Sequence, residues 1–149
     1  MQHLDSQFAG HRISSDPDLV DIGVVHDYLS NHSYWAAGRS RDVVATSIAH
    51  SALVVGAYTQ DGSQVGFARM VSDLATFAWL ADVFVLEAHR GRGLGRAIVK
   101  FAVEHPDMVK LQRQVLATAD AHSLYADFGF VPLEQSERWM VRPGGSPSS

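Results

Sequence analysis

The 149-residue sequence contains no cysteine. This excludes disulfide bonds, thiolate metal ligands and a cysteine nucleophile. No pair among the 8 histidines has the spacing of a zinc site, so no metal is predicted. No apolar run reaches membrane-spanning length, and the first residues lack the charged and apolar regions of a signal peptide. The default expectation is therefore a cytoplasmic protein that does not act on membranes.

The sequence also has little positive charge. It carries 12 Lys and Arg against 16 Asp and Glu, which gives a formal net charge of −4 at pH 7. Binding to nucleic acid relies on clustered positive charge, so a nucleic acid is not an expected partner. Hydrophobic residues make up 46% and charged residues 19% of the chain, as in globular proteins. We expect one domain over residues 1–142 and a disordered tail over 143–149.

The most informative stretch is the glycine-rich turn Arg90-Gly91-Arg92-Gly93-Leu94-Gly95. It follows the apolar residues 80–86 and leads into the helical apolar pattern of residues 94–104. Such a turn directs backbone N–H groups to one point at the positive end of a helix. Glycines allow close approach of a ligand, and the arginines, with Arg96, add positive charge. The turn therefore predicts a site for an anion such as a phosphate or pyrophosphate.

Two other interpretations of this turn have to be weighed. Glycine serves many turns for conformational reasons alone, so the stretch could be purely structural. The glycine spacing differs from the dinucleotide fingerprint, and no Walker A lysine follows the turn. A nucleotide-binding protein of another class is therefore a weaker alternative.

The pattern Arg90-x-x-Gly93-x-Gly95, after the strand residues Val83-Phe84-Val85, resembles the acyl-CoA signature of the GNAT superfamily of N-acetyltransferases. Residues 124–130, with the sequence LYADFGF, resemble a second motif of that family, L-Y-x-x-x-G-F. The resemblance covers residues 52–142. It implies an enzyme that moves an acetyl group from acetyl-CoA to a primary amine, by direct attack in a ternary complex. A non-catalytic acyl-CoA-binding sensor module is the alternative.

In this family the turn holds the CoA pyrophosphate, and the pantetheine arm inserts between two splayed strands. The resemblance thus implies the cofactor-binding residues Val83, Phe84, Val85, Arg90, Gly91, Arg92, Gly93, Leu94, Gly95 and Arg96. Thr118 stands where the family often has an asparagine that bonds pantetheine or the acceptor, and a threonine can still form such a bond. The implied acceptor is a small-molecule amine or a peptide N-terminus. The family often forms homodimers, which leaves a homodimer open here.

Tyr125 and Asp82 are the candidate catalytic residues. Tyr125 falls on the family tyrosine that donates a proton to the leaving CoA thiolate, although by local pattern alone it reads as a core residue beside Phe128 and Phe130. Asp82 is a charge within an apolar strand, and such a charge is costly unless it has a partner. It is either a general base for the acceptor ammonium or a structural carboxylate bonded to Arg69 or to backbone.

Tyr34 and Trp35 lie in a predicted loop, in the region that shapes the acceptor site in the family. Packing is the alternative role for these two aromatic side chains. His32, His89 and His122 are read as surface or capping histidines rather than as catalytic bases.

The order of predicted elements favours a single-domain α/β fold. We expect a mixed, mostly antiparallel sheet with helices on both faces and a splayed parallel strand pair at the cofactor site. A helix is predicted to start at residues 14–17, with Pro17 near its first position. A last strand is predicted over Arg138–Arg142.

Overall fold

A computed structural model describes residues 3–145 as a six-stranded sheet with five α-helices. The strands are β1 (Asp5–Phe8), β2 (His11–Ser14), β3 (Leu53–Tyr58), β4 (Gln64–Ser72), β5 (Phe77–Val85) and β6 (Arg113–Val115). The helices are α1 (Ile22–His32), α2 (Arg41–Ala49), α3 (Leu94–Val103), α4 (Pro106–Val109) and α5 (His122–Ala126). Short 3-10 turns occupy Pro17–Leu19, Glu87–His89 and Ser136–Arg138. None of the helices between residues 3 and 145 is long and apolar enough to cross a membrane.

The strands lie in chain order, and the β5–β6 pair is the one parallel pair among the described strands. Its pairing runs only from Phe77 with Arg113 to Trp79 with Val115. β5 continues to Val85, so the described part of β6 offers no partner to the second half of that strand. The two strands therefore part at their carboxyl ends. The expected mixed sheet with a splayed parallel pair is confirmed.

Apolar side chains cover both faces of the sheet. On one face, α3 buries five side chains against the sheet: Leu94, Ile98, Val99, Ala102 and Val103. On the other face, α1 and α2 pack through Val25, Leu29, Val44 and Ile48 against Phe67 and Phe84. Each fully buried side chain of this size stabilises the fold by roughly 1.5–3 kcal/mol relative to exposure. This packing makes the sheet a rigid platform for the loops at its edge.

The first helix starts later than predicted, after a side-chain cap at Asp21. The segment at residues 14–17 begins a single 3-10 turn, and α1 starts only after Asp21. The Asp21 carboxylate accepts a hydrogen bond from the Val24 N–H, which is the usual role of an aspartate at this position. In the same way, α2 begins after Ser40, whose hydroxyl accepts from the Val43 N–H.

A bulge interrupts β5 at Asp82. The register between β4 and β5 shifts between Phe67 and Arg69, and Asp82 has a left-handed backbone with φ +57°. Simple alternation would place Leu80 and Phe84 on the same face as Asp82. Instead, Leu80 packs on the α3 face and Phe84 on the face of α1 and α2. The extra residue of the bulge reverses the alternation, which the sequence pattern did not reveal.

The two ends of the described chain differ in structure. At the start, residues 5–14 form the β1–β2 hairpin, whose turn residues Ala9 and Gly10 both have positive φ. At the other end, the predicted last strand needs correction. Arg138–Arg142 is not a strand, because it bonds to no sheet edge in the described structure, and Met140 is 96% exposed. Trp139 and Val141 are residue types that favour strands, but a strand requires a hydrogen-bonded neighbour. Of the predicted tail, 146–149 lie outside the described residues.

Candidate active site

A cleft of about 460 Å³ opens where β5 and β6 part. Its volume lies in the range of small-molecule sites. The cleft brings together six of the predicted site residues: Tyr34, Trp35, Asp82, Val83, Thr118 and Tyr125. These residues come from four separate parts of the chain. Arg39 and Arg69 also line the cleft.

Asp82 is at the centre of a hydrogen-bonded cluster in this cleft. Its Oδ2 accepts from Arg69 Nε at 2.7 Å and from Arg39 Nη1 at 2.9 Å, and its Oδ1 accepts from Trp35 Nε1 at 2.8 Å. The Asp82 side chain is only 2% exposed. Both carboxylate oxygens are therefore engaged with protein groups. Three elements meet at this carboxylate: β4, β5 and the loop between α1 and α2.

Two opposing effects act on the pKa of Asp82. Burial raises it, but the charges and hydrogen bonds of Arg69 and Arg39, with the bond from Trp35, outweigh burial. The net result is a pKa below the ordinary value for an aspartate. The group stays ionised at neutral pH, but it is also a weaker base than a free aspartate. Of the two roles considered for Asp82, this geometry favours a carboxylate that positions its partners.

Tyr34 connects the two sides of the cleft. Its hydroxyl accepts a hydrogen bond from the Ala119 N–H at 2.9 Å, across 85 positions of sequence. Its ring meets the Trp35 ring edge-on at a centroid distance of 5.1 Å. Tyr34 remains 59% exposed, so it forms part of the cleft wall rather than of the core. On the same loop as Ala119, the Thr118 hydroxyl accepts from the Ala121 N–H at 3.1 Å and orders the approach to α5.

Tyr125 extends from the short helix α5 into the same cleft. The residue is 9% exposed, and its ring packs edge-on against Phe130 at 5.9 Å. Burial, with Tyr34 and Asp120 nearby, raises the pKa of its phenol to about 12. Tyr125 therefore remains protonated at neutral pH, in the form that can donate a proton.

The glycine-rich turn lies at the start of α3. Gly91 and Gly93 have φ near +80°, a conformation that other residues adopt at a cost. Gly93 is the N-cap of α3, so no side chain caps the helix, and the first backbone bond into the turn is from the Ala97 N–H to the Gly93 carbonyl. The N–H groups of the first turn are therefore available to an anion, as helix geometry predicts.

Gly95 differs from the other two glycines of the turn. Its backbone is ordinary, and an added Cβ would meet only Val85 Cγ2 at 3.7 Å, which is normal contact. The fold itself therefore does not require glycine at this position. A close approach by something outside the protein would explain the glycine.

The three arginines of the predicted anion site differ in their contacts. Arg90 donates through Nε to the Val85 carbonyl at 2.9 Å and through Nη2 to the Tyr28 hydroxyl at 2.8 Å. Arg96 pairs with Asp127 at 2.7 Å, and both side chains are about half exposed. Arg92 is exposed and extends from the turn.

Two of the predicted cofactor residues can offer a ligand little besides their backbone. The Phe84 side chain stacks on Tyr28 at 4.2 Å within the core, and Leu94 is 1% exposed. Val85 offers less, because its side chain is buried and its carbonyl already accepts from Arg90. Val83, which lines the cleft, lies on the stretch of β5 that β6 does not pair.

Comparisons with known proteins identify the family of this chain. The family described as "Acetyltransferase (GNAT) domain" matches residues 50–132, which is more than half of the chain. The chain belongs to the GNAT acetyltransferases. The expected family and the expected acetyltransferase class are therefore confirmed.

Two related proteins support the GNAT assignment. A crystal structure of a candidate acetyltransferase of the GNAT family from Xanthomonas campestris is 44% identical, covers 93% of this chain and 96% of its own, and superposes with a TM-score of 0.87. A candidate acetyltransferase of Gibberella zeae is 28% identical over 131 residues, which is 76% of this chain and 74% of that protein.

A third relative shares the GNAT fold at lower identity. A Mycobacterium tuberculosis protein solved in complex with CoA is 21% identical, with a TM-score of 0.62, and the match covers 78% of this chain and 69% of that one. At this identity the likeness shows the fold alone. Within residues 3–145, no group of three or more His, Asp or Glu side chains could hold a metal ion.

Arg39 is the cleft residue that sequence reasoning missed. It follows Gly38, whose φ of +79° turns the chain after α1 and brings the arginine back towards the sheet. No motif marks this arginine. The charge of Asp82 within an apolar strand was the one available signal, because a buried carboxylate requires cationic partners. That signal identified Arg69 but could not identify a second arginine 43 positions away.

Proposed function

We propose that this GNAT protein transfers an acetyl group from acetyl-CoA to a primary amine by direct attack, with both substrates bound at once. The observation that carries the proposal is the position of Tyr125 in the cleft that opens beside the unpaired half of β5. The glycine-rich turn, with its free N–H groups, lies at the end of the same strand. One ligand could therefore reach from the turn to the Tyr125 phenol.

The residues fit acetyl-CoA in three respects. The first turn of α3 offers N–H groups and Arg92 to a pyrophosphate. The unpaired edge of β5 at Val83 offers backbone groups to the amides of pantetheine. Gly95 leaves open the space that a Cβ would otherwise occupy beside the turn.

The chemistry follows from these positions. The amine nitrogen attacks the thioester carbonyl, a C–N bond forms and the C–S bond breaks. Tyr125 donates its proton to the leaving thiolate, and the proton lost by the amine passes to solvent, from which the phenolate is reprotonated. Trp35 and Tyr34 hold the acceptor in line, and such alignment can contribute several kcal/mol to the rate. In this account, Asp82 fixes Trp35 and Arg39 in place and does not touch the reacting atoms.

The test is the substitution Tyr125→Phe, which removes the hydroxyl and keeps the ring that packs on Phe130. We expect kcat to fall at least about tenfold, with the Kd for acetyl-CoA unchanged. Tyr58→Phe is a matched control, because Tyr58 is buried away from this cleft. A Tyr125→Phe enzyme with full kcat would remove the phenol from the mechanism. Acetyl-CoA binding without acetylation of any amine would indicate a sensor module instead.

A further inference from the structure

The acceptor cleft contains more buried positive charge than the buried Asp82 carboxylate neutralises. The Arg39 and Arg69 side chains are only 19% and 14% exposed, and both bond to the same oxygen of Asp82. Within residues 3–145, neither guanidinium has a second carboxylate within 4.0 Å. The cluster of Arg39, Arg69 and Asp82 therefore carries a net charge of +1 at neutral pH. Charge that is removed from water in this way favours a counter-ion.

The two arginines also keep hydrogen-bond donors to spare. A guanidinium has five N–H donors. Arg39 uses its Nη1 on Asp82, while Arg69 uses Nε on Asp82 and makes a long bond from Nη1 to the Ser51 hydroxyl at 3.4 Å. Both side chains line the cleft, so their remaining donors can reach a ligand there. Paired N–H groups of arginine match the two oxygens of a carboxylate.

The cleft has opposite polarity on its other side. Arg69 lies on β4, on one side of β5, whereas Asp120 and Tyr125 follow β6, on the other side. Asp120 lines the cleft and is exposed. Tyr34 and Tyr125 line the same cleft as Asp120, and the Asp120 charge helps to raise the pKa of the Tyr125 phenol. A ligand that spans β5 would therefore meet cations at one end and an anion at the other.

We propose that the acceptor is a small molecule with a carboxylate besides its primary amine, an amino acid being the simplest example. Arg39 and Arg69 bind the carboxylate, and the amine lies beside Asp120 and Tyr125. This inference rests on the proposed acetyl transfer, since that reaction requires the amine at the Tyr125 end. It narrows the acceptor from amines in general to amines that carry an anionic group.

The first experiment uses the unmodified protein. CoA release from acetyl-CoA is measured with the twenty L-amino acids and with straight-chain ω-amino acids, each against its own carboxamide. The amide keeps the amine and the shape but removes the charge. We expect kcat/KM for the best amino acid to exceed that of its amide at least about tenfold, because the amide leaves the guanidinium donors poorly matched.

The other outcomes separate this inference from the proposed function. A calorimetric titration with acetyl-CoA is run in the same buffer. If acetyl-CoA does not bind, the proposed function fails and this inference fails with it. If acetyl-CoA binds but the amides are used as well as the amino acids, or only the amides are used, the inference alone is overturned.

The second experiment uses Arg39→Gln, with Arg39→Lys as the conservative variant and Arg12→Gln as the control. Arg12 also pairs with one carboxylate, that of Asp5, but on an exposed surface. We expect Arg39→Gln to raise KM for the amino acid at least about tenfold, with no change for the amide or in the Kd of acetyl-CoA. Arg39→Lys should raise KM for the amino acid less, because lysine keeps the positive charge but lacks the paired N–H donors of a guanidinium.

A purely structural role of Arg39 gives a different pattern. If Arg39 only supports the loop that carries Trp35, Arg39→Gln will change KM equally for the amino acid and its amide. That result would overturn the inference. Thermal melting of each variant accompanies the kinetics, and the amino acid-to-amide ratio of the unmodified protein remains decisive even if a variant does not fold.

Discussion

Asp82 combines an unusual backbone with a fully bonded side chain. Its φ of +57° is a conformation that asparagine and aspartate tolerate better than most residues. Its carboxylate accepts three hydrogen bonds, two of them from arginines. The substitution Asp82→Asn therefore removes the charge without straining the bulge.

We expect Asp82→Asn to lower the free energy of unfolding by about 2–3 kcal/mol, because it leaves two largely buried guanidiniums without their counter-charge. Denaturant unfolding measures this loss. We expect kcat for acetyl transfer to change little. The opposite pattern, an unchanged unfolding curve with a large fall in kcat, would make Asp82 a catalytic base.

The contribution of Asp82 to stability should also depend on pH. Its pKa is lower in the folded state than in the unfolded chain, so the unfolded state takes up the proton first as the pH falls. The stabilisation is fully present above about pH 4 and is lost below it, as the pH falls through the folded pKa. The difference in unfolding free energy between the wild type and Asp82→Asn should therefore shrink below pH 4. A difference that stays constant down to pH 2 would contradict this assignment.

Gly95 offers a separate test of the cofactor turn. Alanine fits the available space and is a better helix former than glycine, so Gly95→Ala should leave stability equal or higher. Phenylalanine at the same position should weaken acetyl-CoA binding at least about tenfold, because its ring would enter the space beside the helix start. Calorimetric titration gives the acetyl-CoA Kd of each variant. A Phe variant that binds acetyl-CoA as tightly as the unmodified protein would place the cofactor away from this turn.

At the scale of elements, one hydrogen bond joins the two loops that border the candidate active-site cleft. The Tyr34 hydroxyl holds the backbone of Ala119, which joins the loop after α1 to the loop before α5. The loop after α1 is also anchored to β5, because Trp35 and Arg39 donate to Asp82. The Tyr34–Ala119 bond ties the loop before α5 to this anchored loop, so its loss should widen the acceptor entrance.

Tyr34→Phe removes that bond and keeps the ring. We expect KM for the acceptor to rise several-fold, while the Kd for acetyl-CoA and the melting temperature change little, because a hydrogen bond on an exposed loop contributes only about 1 kcal/mol. Steady-state kinetics at saturating acetyl-CoA provide the measurement. Tyr28→Phe tests another tyrosine hydroxyl, the one bonded to Arg90, and should leave the acceptor KM unchanged. An unaltered KM in Tyr34→Phe would mean that the acceptor does not depend on this bridge.

At the scale of the whole molecule, the features that could be predicted from the sequence are those encoded by contiguous residues. The glycine-rich turn and the apolar stripe of α3 are each contiguous in sequence, and each occupies the predicted kind of element. The Tyr125 motif is likewise a single stretch of sequence, and it begins on α5. Because β5 and β6 are joined by a helical crossover, their parallel pairing was also predictable. These features sufficed for the family and for the position of the cleft.

What the sequence could not predict depends on distant contacts. The bulge at Asp82 arises from the register with β4, and the place of Arg39 from the turn at Gly38. The expected strand over Arg138–Arg142 contains strand-favouring residues such as Trp139 and Val141 but has no neighbour to bond in the described structure. Residue preference alone does not establish pairing, since pairing is a property of two segments rather than one.

The most direct test of the central claim is a calorimetric titration of the protein with acetyl-CoA, with ATP and NAD as comparisons. We expect one site per chain with micromolar affinity for acetyl-CoA, and no comparable binding of ATP or NAD. If acetyl-CoA does not bind, or if ATP or NAD binds more tightly, the glycine-rich turn serves another purpose, and the assignment would describe the fold without the activity.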